Sequence, residues 1–462
     1  MKKLVALLLV AMMLCTCMAA LAETPEGYPE VVEGLDFGGA KVYFYDYWSQ
    51  SSKEPTQNPT AETEARDAYR AWLMETYNVD IEAVALSDWG GILGAMTDIY
   101  GAGADVAPLA TFSIPPDFVG GPLSQNILLA WNDWVDLDNE TRWVKSTSDF
   151  MNLGGQVYGV TPNNPEPRGM VYFNKRILED AGIDWESIYD MQADGTWTWD
   201  VFEQMLEKVQ KDTDNDGIVD IWGLTGSNVD MYRLSVVSAG ASFFAMDDET
   251  GAISVAVSQE TLDALAWSKR IFETYFFQGV TDESGNAPVW NYYVDAWNQA
   301  VSGFYVAQGY QGFNTPAEMD ALADEWGMVA FPVREAGSKY VYVASDNVTL
   351  MLDLYDAETA KKIATLYELW TNPTPGYDDS DAWALPYYDK NTDERAIEES
   401  YAMLREPDRA IFDPALKLGS INDVEGADFL WNLSWQTPQE IYDAKIGNWE
   451  SLVNEYNAKY VK

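Results

Sequence analysis

Asp212-Thr213-Asp214-Asn215-Asp216-Gly217-Ile218-Val219-Asp220 places three aspartates at alternate positions around a tight glycine bend and adds a fourth at its end. Such a pattern can surround one hard cation with oxygen ligands, and Ile218 would contribute its backbone carbonyl. Calcium is the expected ion, as a structural metal and not a required cofactor. The bidentate Glu that closes an EF-hand loop is missing, because Gly223 stands at its position. The open alternative is an acidic turn between a helix ending near Gln210 and a strand over 221–224. A second supply of chemistry is aromatic, with 19 Trp, 27 Tyr and 17 Phe. Flat rings match the apolar C–H faces of a pyranose, and Asp, Asn, Arg or Glu side chains match its rim of hydroxyls. The chain has no histidine. Ser-His-Asp and Cys-His catalysis, imidazole zinc sites and histidine switches are therefore excluded, which leaves carboxylate chemistry or binding without chemistry.

Lys and Arg number 28 against 74 Asp and Glu, a formal net charge of −46. That charge repels polyanions and excludes nucleic acid as a partner. It also favours neutral over uronate-rich or sulfated ligands. With 462 residues, 47% of them hydrophobic, the chain is long enough for two domains. Lys2 and Lys3 precede an apolar run from Leu4 to Met13 that has the length of a secretory h-region and is too short to span a bilayer. Ala20 and Ala22 suit signal peptidase, so residues 1–22 are expected to be a signal peptide and Glu23 the first residue of a secreted, extracytoplasmic chain. Cys15 and Cys17 would leave with it, and no disulfide would remain. The alternative is a lipid anchor through Cys17, although Thr16 before it and the apolar stretch Met18 to Ala22 after it fit that poorly.

Short strand-like runs alternate with helical patterns along the mature chain, the signature of α/β architecture with mainly parallel sheets. Lys41 to Tyr47 reads as a strand buried from both sides, and Asp80 to Leu86 and Asp105 to Phe112 as the next two. Asn58-Pro59 offers a cap and first-turn proline for a helix carrying Tyr69, Trp72, Leu73 and Thr76. Helical stripes recur at Phe202, Met205, Leu206 and Val209, and at Ile363, Leu366, Tyr367 and Trp370. Thr437-Pro438-Gln439-Glu440 is a capping box for a final helix with Trp449, Leu452, Val453 and Tyr456 on one side.

Several of these segments together resemble extracellular solute-binding proteins of carbohydrate-type ABC importers, the family that includes maltose-binding protein. Tyr158 to Pro162, Val171-Tyr172-Phe173-Asn174-Lys175 and Leu178 to Gly182 are similar to that family's "YG-V-P … YNK-x-L-x-x-AG" passage. Thr196 to Asp200 resembles its "TW-D-x-F" segment, and Asp212 to Gly223 its aspartate-rich loop. Val301 to Tyr310, Trp326 to Val329 with Phe331-Pro332, and Trp383 to Pro386 follow in the family's order. Tyr310 stands where tryptophan is more usual, and the first 120 residues match in pattern only.

The resemblance implies a two-lobed periplasmic-binding-protein-like α/β fold with three inter-lobe crossings, expected near 158–164, 296–302 and 344–349. Lobe one would take 37–157 and 303–344, and lobe two 158–302 and 345–462. A ligand would lie in the cleft between the lobes, which would close over it by hinge rotation. Residues that follow strands toward such a cleft are Asp46, Tyr47 and Trp48, then Phe112 with Ser113, then Asn163, Asn164, Glu166, Arg168, Asp230 and Tyr232. Tyr310 and Trp383 carry over from the family's aromatic platform. The resemblance further implies a monomeric, non-enzymatic receptor for a neutral carbohydrate, partnered by membrane permease subunits. Two other classes remain open: a secreted glycoside hydrolase, which needs only two carboxylates across a sugar, and a receptor for a non-sugar solute.

Overall fold

The computed structural model describes residues 24–56, 59–162, 165–247, 249–279, 292–313, 317–379, 382–388, 393–419, 424 and 430–461. The leader at 1–22 with Cys15 and Cys17, the proposed cap Asn58, and the candidate contacts Asn163 and Asn164 lie outside the described residues. Among the described residues no helix is long and apolar enough to cross a membrane.

Eight strands of the described residues form two four-stranded sheets: β1 (Ala40–Asp46), β2 (Val79–Ala85), β3 (Leu109–Ile114), β4 (Arg168–Asn174), β5 (Trp222–Gly226), β6 (Ser302–Gln308), β7 (Trp326–Ala330) and β8 (Val348–Leu350). The first sheet runs β8-β3-β1-β2 and the second β7-β4-β6-β5. In the first, β1 is parallel to β2 and β3, and β8 is antiparallel to β3. The second is mixed, because β4 runs antiparallel to both β6 and β7; the expectation of mainly parallel sheets holds for the first lobe only. β1 alternates buried and half-buried positions. Its Tyr43 and Tyr45 stack on the more open face at 4.9 Å, so β1 is not enclosed on both sides.

Helices cover both sheets. Thr60, not Asn58, caps the helix Ala61–Thr76, whose Thr63 hydroxyl answers the Thr60 N–H in a capping box. That satisfies two otherwise orphaned donors. Trp199–Val209 buries the expected stripe of Phe202, Met205, Leu206 and Val209, and its Trp199 stacks on Trp267 at 4.1 Å. Pro438–Tyr460 begins at the Thr437/Glu440 box and buries Trp449, Val453 and Tyr456 against the second lobe. Each side chain so buried contributes about 1.5–3 kcal/mol of transfer free energy.

The lobe boundaries differ from the expected ones. β6 lies in the middle of the second sheet, paired on both edges and enclosed along nearly its whole length. No crossing can therefore occur at 296–302, and 303–344 belongs to lobe two. The swap is reciprocal, since β8 joins the first sheet and the helix Ala357–Trp370 packs against Phe44, Tyr69 and Trp131 in the first core. The chain crosses from lobe one to lobe two between Val157 and Arg168, returns between Val343 and Val348, and crosses again between Trp370 and Ala384.

A segment late in the chain also straddles the lobes. Ala410–Ile411 pairs with Tyr342–Val343 beside the second crossing. In the short helix that follows and the residue that ends it, Leu416 enters the first lobe's core while Ala415 and Leu418 enter the second's. Lys417, 2% exposed, donates to the Asn152 carbonyl at 3.3 Å and approaches Met246 Sδ at 3.4 Å. Burial pushes its ammonium down to about 8.

Candidate functional site

All the first-lobe loops that could meet a ligand leave strands at one edge of the sheet, where β1, β2 and β3 end and β8 begins. Asp46 ends β1 and is nearly buried; its carboxylate accepts from the N–H groups of Trp48 (3.0 Å) and Ser49 (2.8 Å) and from the Ser49 hydroxyl. This is a side-chain-closed turn, and its product is the display of Tyr47 and Trp48. Trp48 is 55% exposed, braced edge-on by Tyr47 at 4.8 Å. The Tyr47 hydroxyl donates to Asn347 Oδ1 at 2.9 Å. Trp89, 43% exposed, follows β2 and leans on Phe118 at 4.8 Å. Asp117 follows β3. Burial pushes its carboxyl above the usual value and Asp230 adds to that, while Arg233 and Arg168 pull it back.

The second lobe presents the edge where β5 and β6 end and β4 begins. Ser227 caps the helix Asn228–Ser238 by accepting from Asp230 N. Asp230 and Arg233 then stand one turn apart on the side facing the cavity. Arg168 opens β4 and donates to Gln308 Oε1 at 3.2 Å, Ser345 Oγ at 3.3 Å and Glu166 Oε2 at 3.2 Å. Its guanidinium lies 5.6 Å from the Tyr310 ring centre. Burial pushes the Tyr310 and Tyr293 phenols well above their ordinary value. Behind them the crossings are tied together, because Glu166 N donates to Asp346 Oδ1 at 2.9 Å and Arg405 donates to the Pro165 carbonyl at 2.7 Å. Burial raises Asp346 to about 6.

These two edges and the crossings enclose a cavity of about 950 Å³ lined from both lobes, at the upper end of the roughly 300–1,000 Å³ usual for small-molecule sites. Of the residues expected from sequence, Tyr47, Trp48, Glu166, Arg168, Asp230 and Tyr310 line it. Five expectations are corrected, among them Ser113, which is paired with Thr349 inside the first sheet and does not line the cavity. Asp46 shapes the turn beneath the cavity and does not line it. Phe112 is fully buried in the first core, because its strand lies between β8 and β1 and is covered on both faces. Tyr232 falls on the inner side of its helix and packs edge-on against Phe272 at 6.2 Å. Trp383 stacks on Tyr401 at 6.0 Å under the Arg405 guanidinium, and its neighbour Tyr387 reaches the cavity instead.

Sequence reasoning missed Trp89, Asp117, Arg233, Tyr293, Gln308 and Asn347 as lining residues. Two carried a usable signal. Trp89 and Asp117 follow β2 and β3 as Trp48 follows β1, so the strand-end rule that selected Trp48 applied equally to them.

The aspartate loop stands at the start of β5, the end remote from the cavity. Carboxylate oxygens of Asp212, Asp214 and Asp216 come within 4.8 Å of one another, which fits a hard cation. They also close the loop on themselves, with Asp212 accepting from Asn215 N (2.7 Å) and Gly217 N (2.8 Å), and Asp216 from Ile218 N (2.8 Å). Asp220 is turned to Thr213, accepting from its N–H and hydroxyl, so it stands outside the converging set. Ile218 is exposed.

No protein-family model matches the sequence, and no curated protein does. Solved structures do match in fold. An ABC substrate-binding protein from Listeria monocytogenes in complex with cycloalternan is 15% identical with a TM-score of 0.59, covering 91% of this chain and 99% of that one. The cyclic alpha-maltosyl-1,6-maltose binding protein from Arthrobacter globiformis is 13% identical with a TM-score of 0.60, covering 90% and 100%. An ABC transporter associated binding protein from B. animalis subsp. lactis in complex with beta-1,6-galactobiose is 12% identical with a TM-score of 0.57, covering 90% and 98%. The chain thus has the two-lobed α/β fold of solute-binding proteins, with its cavity between the lobes.

Proposed function

We propose that this protein is a non-enzymatic receptor that captures a neutral oligosaccharide outside the cytoplasmic membrane and delivers it to the permease subunits of an ABC importer. The observation that carries the reading is the pair of exposed indoles, Trp48 and Trp89, facing a cavity whose other wall holds Arg168, Asp230, Gln308 and Tyr310. Rings on one side and directional hydrogen-bonding groups on the other are what a pyranose requires. The sugars held by the similarly folded proteins named above support the same ligand class. Residues 1–22 would act as the export signal, with lipidation at Cys17 as its alternative, and the receptor would work as a monomer. Calcium at Asp212, Asp214 and Asp216 would steady a connection remote from the ligand, raising stability by mass action.

Calorimetric titration against a panel of neutral oligosaccharides, with the sugar recovered and sized afterwards, tests the reading. Binding of an intact sugar supports it. Shortened sugar would move the protein to the glycoside hydrolases, and binding only of non-sugar solutes would replace the ligand class.

A further inference from the structure

β4 and β6 do not meet in regular register at the cavity. Ala307 opposes Met170, but Gln308 opposes Arg168, and Gly169 is left as the extra residue. Its φ is +89°, and a Cβ there would come within 2.5 Å of Leu234 Cδ2. Only glycine meets both conditions. The bulge turns the ends of two paired strands toward the cavity, with Arg168 and Gln308 facing each other there. The backbone of Gln308 is fixed on both sides: its N–H donates to Gln311 Oε1 at 2.9 Å and its carbonyl accepts from the Tyr172 hydroxyl at 3.2 Å. Its side-chain amide bridges two opposite charges. Oε1 accepts from Arg168, and Nε2 donates to Asp230 Oδ2 at 3.3 Å.

Within the carbohydrate-receptor reading, we propose that Gln308 is a positioning residue that holds Arg168 and Asp230 one amide apart, so that both charges stay directed at ligand hydroxyls. In direct contact, the guanidinium and carboxylate would form a bidentate pair and spend their hydrogen bonds on each other. Glutamine suits the place because one end of its amide only accepts and the other only donates. Neither glutamate nor alanine does both.

Two measurements decide this. Crystal structures of the ligand-free wild type and of Gln308→Ala show where Arg168 goes; the expected result is a direct Arg168–Asp230 contact in the variant only. Calorimetry with maltotriose, mannotriose and β-1,6-galactobiose should show affinity falling about tenfold or more in Gln308→Ala and further in Gln308→Glu, which repels Asp230, with melting temperatures close to wild type. Arg168 keeping its wild-type position in Gln308→Ala, or unchanged affinity for a sugar the wild type binds, overturns the proposal. If the wild type binds none of the three sugars, the ligand reading passes to the wider panel above, and the crystallographic comparison alone decides the role of Gln308.

Discussion

The two walls of the cleft are built on different principles. The first lobe offers area: Trp48 and Trp89 project from loops, each braced by one neighbouring ring, with much of the indole surface open. The second lobe, with Glu166 of the adjoining crossing, offers direction, since Arg168, Gln308, Asp230 and Glu166 are half-buried and hydrogen-bonded in sequence. Stacking tolerates rotation and sliding of a sugar ring, whereas a guanidinium fixed by three acceptors does not. For the proposed sugar ligand, affinity should therefore depend on both walls and discrimination among sugars mainly on the second.

The strongest way to break this contrast is Arg168→Met. It strands Glu166, removes the Tyr310 contact and takes the cation from the cavity, so binding should weaken by about 2–5 kcal/mol, with a lower melting temperature. Equal losses for all sugars in the panel would deny the second wall its role in discrimination. Asp346 tests the chain crossings behind that wall. Its folded value near 6 lies above the ordinary carboxylate range, so the folded state holds the extra proton. Its contribution to stability is full below about pH 4 and is lost as pH rises through about 6. Asp346→Asn should flatten the stability profile across that window by about 2 kcal/mol, measured by denaturant titration from pH 4 to 7. An unchanged slope would remove Asp346 as its source.

Trp383→Ala and Trp48→Ala separate packing from display. The first should cost about 2 kcal/mol of stability, because Trp383 supports Tyr401 and Arg405, and should leave sugar affinity within a few-fold. Trp48→Ala should do the reverse, losing about 1–2 kcal/mol of affinity with the melting temperature unchanged; an exchange of the two phenotypes would reverse the assignment. The smallest effect is expected from calcium. A rise in melting temperature of wild type with calcium over chelator, absent in Asp214→Ala, is the outcome that supports the loop, and identical wild-type melts would remove it.

The strand–loop logic of the first lobe was legible because a strand end is a local event. Lys41 to Tyr47 announces β1, and whatever follows it faces the edge. Helix stripes such as Phe202 to Val209 were legible for the same reason. What was hidden depends on pairing. The apolar run of Ser302–Gln308 does not say which sheet it joins, so a crossing expected from it falls on what is a central strand. Nothing local distinguishes Phe112 pointing into the core from Trp48 pointing out. The bulge at Gly169 exists only through the register between strands more than 130 residues apart, and with it Gln308 became visible.

The segment that threads between the lobes bears on cooperativity. Leu416 fills the first lobe's core although the chain around it belongs to the second, and Phe412 stacks on Phe150 at 4.6 Å. Far along the same chain, Tyr460 donates to the Leu123 carbonyl at 2.7 Å. A first lobe produced alone would have a hole where Leu416 belongs and an uncovered ring at Phe150. The first lobe thus depends on the second for part of its core, and heating should yield one calorimetric transition for the whole molecule, with equal calorimetric and van't Hoff enthalpies.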